Sequence, residues 1–176
     1  MNNDIIEDLN KIESLFNQYL NDTKYLSEQQ FNQKSDDKEW SLAQAIYHTW
    51  AAIDLTYQFV DKQLSSSKQR KATSVSNMFR YFLLKLALIS PLKFKAPPQI
   101  KDKIVEYITH QELELMSRET FRKFRNLLEI FPNNLREQEI FFHPVIGWIN
   151  IAQTTGFLIQ HTVHHKAQIY RIKGAL

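Results

Sequence analysis

Gln160-His161-Thr162-Val163-His164-His165-Lys166-Ala167-Gln168-Ile169 is the stretch on which the fold turns. It lies within a longer segment, about Ile149 to Lys173, in which Ile151, Leu158, Ile169 and Ile172 share one stripe at roughly 100° per residue. That period predicts a final amphipathic helix, with Gly174 placed as its C-terminal cap. His161 and His165 fall on or beside the apolar stripe, whereas His164 turns toward the side of Gln153, Gln160 and Arg171. Side chains one helical turn apart can converge on one ion and adjacent ones diverge, so the spacing selects His161 with His165 over His164.

Working back along the chain, Ser41 with Gln44 three residues later has the form of a capping box, and it opens a second helix that runs to about Leu64. Projection of this helix surrounds His48 with Ala45, Ala52, Leu55 and Phe59, and sends Gln44, Tyr47, Asp54, Gln58 and Asp61 to the opposite side. His48 is expected to face the bundle, beside Ala51 and Ala52, whose small side chains leave room for an ion or ligand. It reads either as a core histidine held by a hydrogen bond or as a metal ligand. Three neutral imidazoles in a bundle core would make an open site for Zn²⁺, Ni²⁺ or a similar ion, with positions left for water or substrate.

The remaining elements follow the same period. Ile5, Leu9, Ile12, Leu15, Phe16 and Leu20 mark a first helix, broken by the polar stretch around Lys34 to Glu39. Ser65 to Ser76 is serine-rich, carries Lys68, Arg70 and Lys71 and has no apolar period, so it reads as a loop. A short helix is expected from Asn77 to Ile89, after which Pro91, Pro97 and Pro98 keep the chain extended. A third long helix is expected to begin near Lys101, continue through Ile104, Ile108, Leu113 and Phe124, and end at Pro132. A loop with His143, Pro144 and Gly147 leads into the last helix.

At 176 residues the chain fits one domain, residues 1–176, and three glycines with five prolines are too few for many short strands. The class is all-α. A net charge of +3 gives little support for nucleic-acid binding, and none is expected. Cysteine is absent, which excludes disulfides, thiolate ligands and a cysteine nucleophile, so any metal must be held by nitrogen and oxygen. Residues Met1 to Asn10 carry Asp4, Glu7 and Asp8 in place of a basic start and apolar run, so a cytoplasmic protein is expected. Met78 to Ile89 falls short of the roughly 20 apolar residues that span a bilayer and reads as a buried or interfacial helix, with no membrane partner expected.

Three segments carry a family resemblance. Trp40-Ser41-Leu42-Ala43-Gln44-Ala45-Ile46-Tyr47-His48 resembles the early helix of the DinB/YfiT-like superfamily, where a tryptophan precedes a metal-binding histidine. The stretch from Gln160 to Ile169 is similar to its second signature, histidine, three residues, histidine, then glutamine and isoleucine, and His143-Pro144-Val145-Ile146-Gly147 resembles a turn common in one branch. The resemblance implies an up-down-down-up four-helix bundle, a metal site made by His48, His161 and His165, frequent homodimers, and relatives that are transferases using low-molecular-weight thiols such as bacillithiol or mycothiol. It implies no DNA polymerase. The long basic linker after the second helix and the apolar Met78 to Ile89 segment depart from the pattern.

Gln168 is a candidate to orient a ligand from beside His161, or else a surface glutamine. His143 either approaches the site from its loop or stabilises the turn before Pro144. His110 and His164 are assigned to packing or solvent, and Trp40, Trp50 and Trp148 to sealing the core or an interface. No residue is assigned as catalytic. The expected function is a divalent-metal-dependent enzyme, a thiol S-transferase or hydrolase-like, acting on a small molecule. The alternative is a non-enzymatic, metal-stabilised binding or scaffold bundle that dimerises, and a weaker one is nucleic-acid binding through Lys68, Arg70 and Lys71.

Overall fold

The structure, a computed structural model, describes residues 2–36, 39–66, 69–89 and 104–176. Among these are four long helices, α1 (Asn3–Thr23), α3 (Leu42–Leu64), α5 (His110–Glu129) and α6 (Ile151–Lys173), with a short α2 (Glu28–Asn32) and a two-faced α4 (Val75–Ile89). A 3-10 turn at Asn133–Leu135 and a hairpin of β1 (Phe141–His143) and β2 (Gly147–Ile149) complete it. The protein is mostly helical, with this small sheet added.

Caps set most of the boundaries. Ser27, Ser41, Thr109 and Asn150 each accept from the backbone N–H three residues on, and Gln30, Gln44, Glu112 and Gln153 return the bond. Four orphan donors at each helix start are thus partly satisfied by side chains. The Ser27 to Gln30 spacing repeats that of Ser41 to Gln44, and it marks α2, whose Phe31 is fully buried. That helix was not expected. α1 ends at Thr23, well before the polar stretch at Lys34, and the Thr23 hydroxyl donates to the carbonyls of Tyr19 and Leu20.

The third long helix begins at His110, nine residues after the expected start near Lys101. Asn32 explains the part of that difference the structure describes. Its side-chain amide donates to the Ile108 carbonyl (2.9 Å) and accepts from the Ile108 N–H (3.0 Å), which holds this backbone as a strand partner would. Gln44 adds a bond from Nε2 to the Val105 carbonyl (3.0 Å). Residues 101–103, and with them the expected extended run at Pro91, Pro97 and Pro98, lie outside the described residues, as does Lys68.

The expected loop before α6 is a hairpin. Phe141 pairs with Ile149, Phe142 with Trp148 and His143 with Gly147, and Gly147 supplies the positive φ (+82°) that the turn requires. Because Ile149 belongs to β2, α6 starts two residues later than its apolar period suggests.

The core lies where the four long helices meet. Asp8 meets Thr155 (2.9 Å), the Tyr19 hydroxyl donates to the Thr162 carbonyl (2.8 Å), and Asp22 meets Tyr170, so the paired numbers on α1 and α6 rise together. Between α1 and α5 they run oppositely, with Asn2 donating to the Leu128 carbonyl (2.9 Å), Glu13 paired with Arg125 and Phe16 against Phe121. Trp50 Nε1 donates to Thr120 Oγ1 (3.1 Å), and Tyr57 packs on Phe124, which joins α3 to α5.

Candidate metal centre

On α3 the fully buried stripe is Ile46, Thr49, Ile53, Thr56 and Val60, each at most 2% exposed. This corrects the projected face, since Ala52, Leu55 and Phe59 are only half-buried and Gln44 is buried by its cap and its bond to Val105. His48 lies to the flank of the stripe, yet it is 3% exposed. Two neighbours cover it: the Trp40 ring, at 4.9 Å between centroids, and helix α6.

From α6, His161 and His165 approach the same point. Their Nε2 atoms are 3.2 Å apart, and the His48 ring lies 5.3 Å from that of His161 and 4.7 Å from that of His165. One ligand nitrogen from each of the three residues falls within 4.8 Å of the others. A tetrahedral ion with Zn–N of about 2.0–2.1 Å needs nitrogens roughly 3.3 Å apart. The His161 and His165 pair already has that spacing, and a ring nitrogen of His48 lies within 4.8 Å of both. Among the described residues no Asp or Glu joins the group.

Hydrogen bonding also leaves room for an ion. Nδ1 of His48 and Nδ1 of His161 are buried with no partner, a state that costs about 1–3 kcal/mol for an ordinary polar group. The Nε2 atoms of His161 and His165 face each other rather than separate groups, and a cation between them and His48 would take up those lone pairs, so the donor set fits one divalent metal. Gln168 Oε1 accepts from His165 Nδ1 at 2.8 Å, which fixes that tautomer and leaves Nε2 of His165 facing the group. Gln168 therefore acts on His165.

Burial keeps the imidazoles neutral. Desolvation lowers His48 to about 3, helped by the nearby His165, and lowers His165 to about 4 despite the opposing bond from Gln168. His161 is held well below its ordinary value by desolvation first and then by the surrounding histidines. Neutral imidazole is the form that ligates metals.

His164 stays outside the group, with its ring edge-on to His165 at 5.4 Å, as the helical projection expected. His143 is buried in the hairpin, where its Nδ1 accepts from the Val145 N–H (3.2 Å), the turn-stabilising alternative. The Phe157 ring links it to the site, 4.6 Å from His143 and 5.5 Å from His161, and His143 is near enough to help hold His161 below its ordinary value. The Phe157, His161, His165 spacing of four is visible in the sequence, and it would have placed an aromatic wall beside the pair. His110 packs on Phe31 at 3.7 Å and bonds Glu28.

Fold and site together define a helical bundle with an inward-facing group of three histidines able to hold a metal ion. Comparison with known families makes this specific. The chain belongs to the DinB superfamily, whose family model matches residues 11–169. Among solved structures it is similar to YfiT from Bacillus subtilis, described as "a probable metal-dependent hydrolase with an unusual four-helix bundle topology". That likeness has a TM-score of 0.57 and 17% identity, and it covers 99% of this chain and 86% of the other. No curated protein matches.

Proposed function

We propose that the protein binds one divalent metal ion, Zn²⁺, Ni²⁺ or similar, through His48, His161 and His165, and that it is a metal-dependent enzyme acting on a small molecule. The observation that carries this reading is the convergence of three neutral imidazoles with no fourth Asp or Glu donor among the described residues. A structural site is closed by four protein ligands, whereas a catalytic one keeps a position open. When bound, the ion supplies Lewis-acid chemistry that makes a coordinated water or thiol nucleophilic near neutral pH. The chain's own contribution is to hold three imidazoles in place, to fix His165 through Gln168 and to shield the site with Trp40 and Phe157.

With water as nucleophile the reaction is a hydrolysis, the class named for the structural neighbour. With a low-molecular-weight thiol it is an S-transfer, the finer form of the proposal. The reading includes an up-down-down-up order of the four long helices, supported by the rising pairs on α1 and α6 and the falling pairs on α1 and α5. It also includes a cytoplasmic homodimer.

The test is metal analysis of protein purified without a nickel column. About one equivalent of metal is expected, with His161→Ala losing both metal and turnover in a screen of esters and of thiols with electrophiles. Wild-type protein that neither carries metal nor takes up added Zn²⁺ or Ni²⁺ would overturn the proposal. Metal-loaded protein inert across the screen would favour the non-enzymatic bundle.

A further inference from the structure

Helix α4 presents an apolar face that the bundle leaves open. Val75, Met78, Phe79, Phe82, Leu83 and Leu86 recur at spacings of three and four, and their exposure runs from 48% for Leu83 to 81% for Val75. The opposite face is the docked one. Tyr81 and Leu84 pack on the core, the Tyr81 hydroxyl sits against Gly156 of α6, and Asn77 donates to Glu139 (2.8 Å). So α4 is held to the bundle by one side, with six large apolar side chains turned out, more than the single exposed residues normal on a soluble surface.

Charge surrounds this stripe in a particular way. At roughly 100° per residue, Arg80 and Lys85 project to either side of it, Arg80 exposed and Lys85 half-buried with its ammonium 5.8 Å from the centre of the Tyr81 ring, from which it can swing out. Among the described residues from 69 to 89 the charged side chains are Arg70, Lys71, Arg80 and Lys85, all basic. Two copies meeting symmetrically through α4 would bring two such basic segments together. An anionic surface would neutralise them.

We propose that α4 is a peripheral membrane anchor, lying in the headgroup plane of a bilayer that contains anionic lipid, with its apolar stripe inserted and Arg80 and Lys85 reaching the phosphates. Long basic side chains at the edge of an apolar face suit this position, since their stems lie along acyl chains and their charges stay at the headgroups. The helix does not span. Its 15 residues rise about 22 Å against a hydrocarbon core of about 30 Å, and among the described residues no helix is long and apolar enough to cross. The expectation of no membrane partner, drawn from the absence of a spanning segment, does not address this mode of binding. The proposal is independent of the metal reading.

Sedimentation of the full chain with vesicles tests it, using phosphatidylcholine alone and phosphatidylcholine mixed with phosphatidylglycerol. Wild-type protein is expected to partition onto the mixed vesicles only, and less so as salt is raised. Phe82→Glu with Leu83→Glu should weaken partitioning by at least about tenfold with unchanged helicity and thermal midpoint. Arg80→Ala and Lys85→Ala should each weaken it roughly fivefold. No partitioning by the wild type, or equal partitioning by the variants, overturns the proposal. So does a wild-type dimer that Phe82→Glu dissociates without any vesicle binding, which would make a second copy the occupant.

Discussion

Metal-free protein should lose stability steeply between pH 6.5 and pH 5. His48, His161 and His165 are neutral in the native state, at about 3 for His48 and about 4 for His165, and burial holds His143 at about 4 as well. In the unfolded chain each returns to about 6.5. Below that pH the unfolded state therefore binds more protons than the native one, and stability falls as pH falls toward the native values. At pH 5, 1.5 units below the unfolded value, each imidazole kept neutral costs about 2 kcal/mol, or about 6 kcal/mol for the three site histidines. Native domains have only about 5–15 kcal/mol in all. Urea denaturation of chelator-treated protein at pH 7, 6 and 5 gives the proton count directly, since each proton contributes about 1.4 kcal/mol per pH unit. A slope of three to four protons is expected between pH 6 and 5, and one fewer in His161→Leu. A slope under one proton, or one unchanged in that variant, would refute the burial of neutral imidazoles.

Gln168→Leu removes the acceptor on His165 Nδ1 and should weaken metal binding by about 10–100-fold in a competitive chelator titration, and by leaving that N–H unpartnered it should also cost the metal-free protein about 1–3 kcal/mol. Gly156→Ala drives a methyl into the Tyr81 hydroxyl, which must swing aside, and the gain of about 0.5–1 kcal/mol in helix propensity offsets part of that, so a net change within about 1 kcal/mol is expected in denaturant unfolding, with faster amide exchange in α4. Adding Tyr81→Phe, which deletes the atom in conflict, should restore wild-type exchange in α4. Asn32→Ala strips both backbone bonds from Ile108 and should cost about 1–3 kcal/mol, with faster amide exchange in residues 104–109 as the accompanying signature.

Helical faces were legible in the sequence, because a period of 3.6 fixes which side chains share a side. The shared side of His161 and His165 and the exclusion of His164 follow from it, while the start of α3 follows from the Ser41 and Gln44 capping box. Two kinds of feature do not. One is long-range backbone bonding: Asn32 clamps Ile108, 76 residues away, and no local pattern between Ile104 and Ile108 reports it, although the start of α5 itself carries a local signal in the Thr109 and Glu112 capping box. The other is how faces meet. His48 lies on the flank of its helix, outside the stripe that period alone defines, and it is buried because Trp40 and α6 happen to cover that flank. The hairpin fell between these cases, since its alternation over three residues per strand is too short to outweigh a composition poor in glycine and proline.

A packing role does not account for the three histidines together. A core histidine ordinarily repays its burial by hydrogen bonds from both ring nitrogens, as His110 does with Glu28 and the Thr23 carbonyl. At the site the bonding is incomplete: two Nδ1 atoms have no partner, and the Nε2 atoms of His161 and His165 face each other rather than separate groups. Apolar side chains of similar volume at His48 and His161 would pack the same space without those losses. The histidines thus lower the stability of the metal-free bundle, most of all in acid. A ligand that binds only the native state restores stability in proportion to its affinity and concentration. Replacing His48 or His161 by leucine should therefore raise metal-free stability at pH 5 while abolishing the stabilisation that added Zn²⁺ or Ni²⁺ gives the wild type. The two effects in opposite directions, from one substitution, separate a binding site from a packed core.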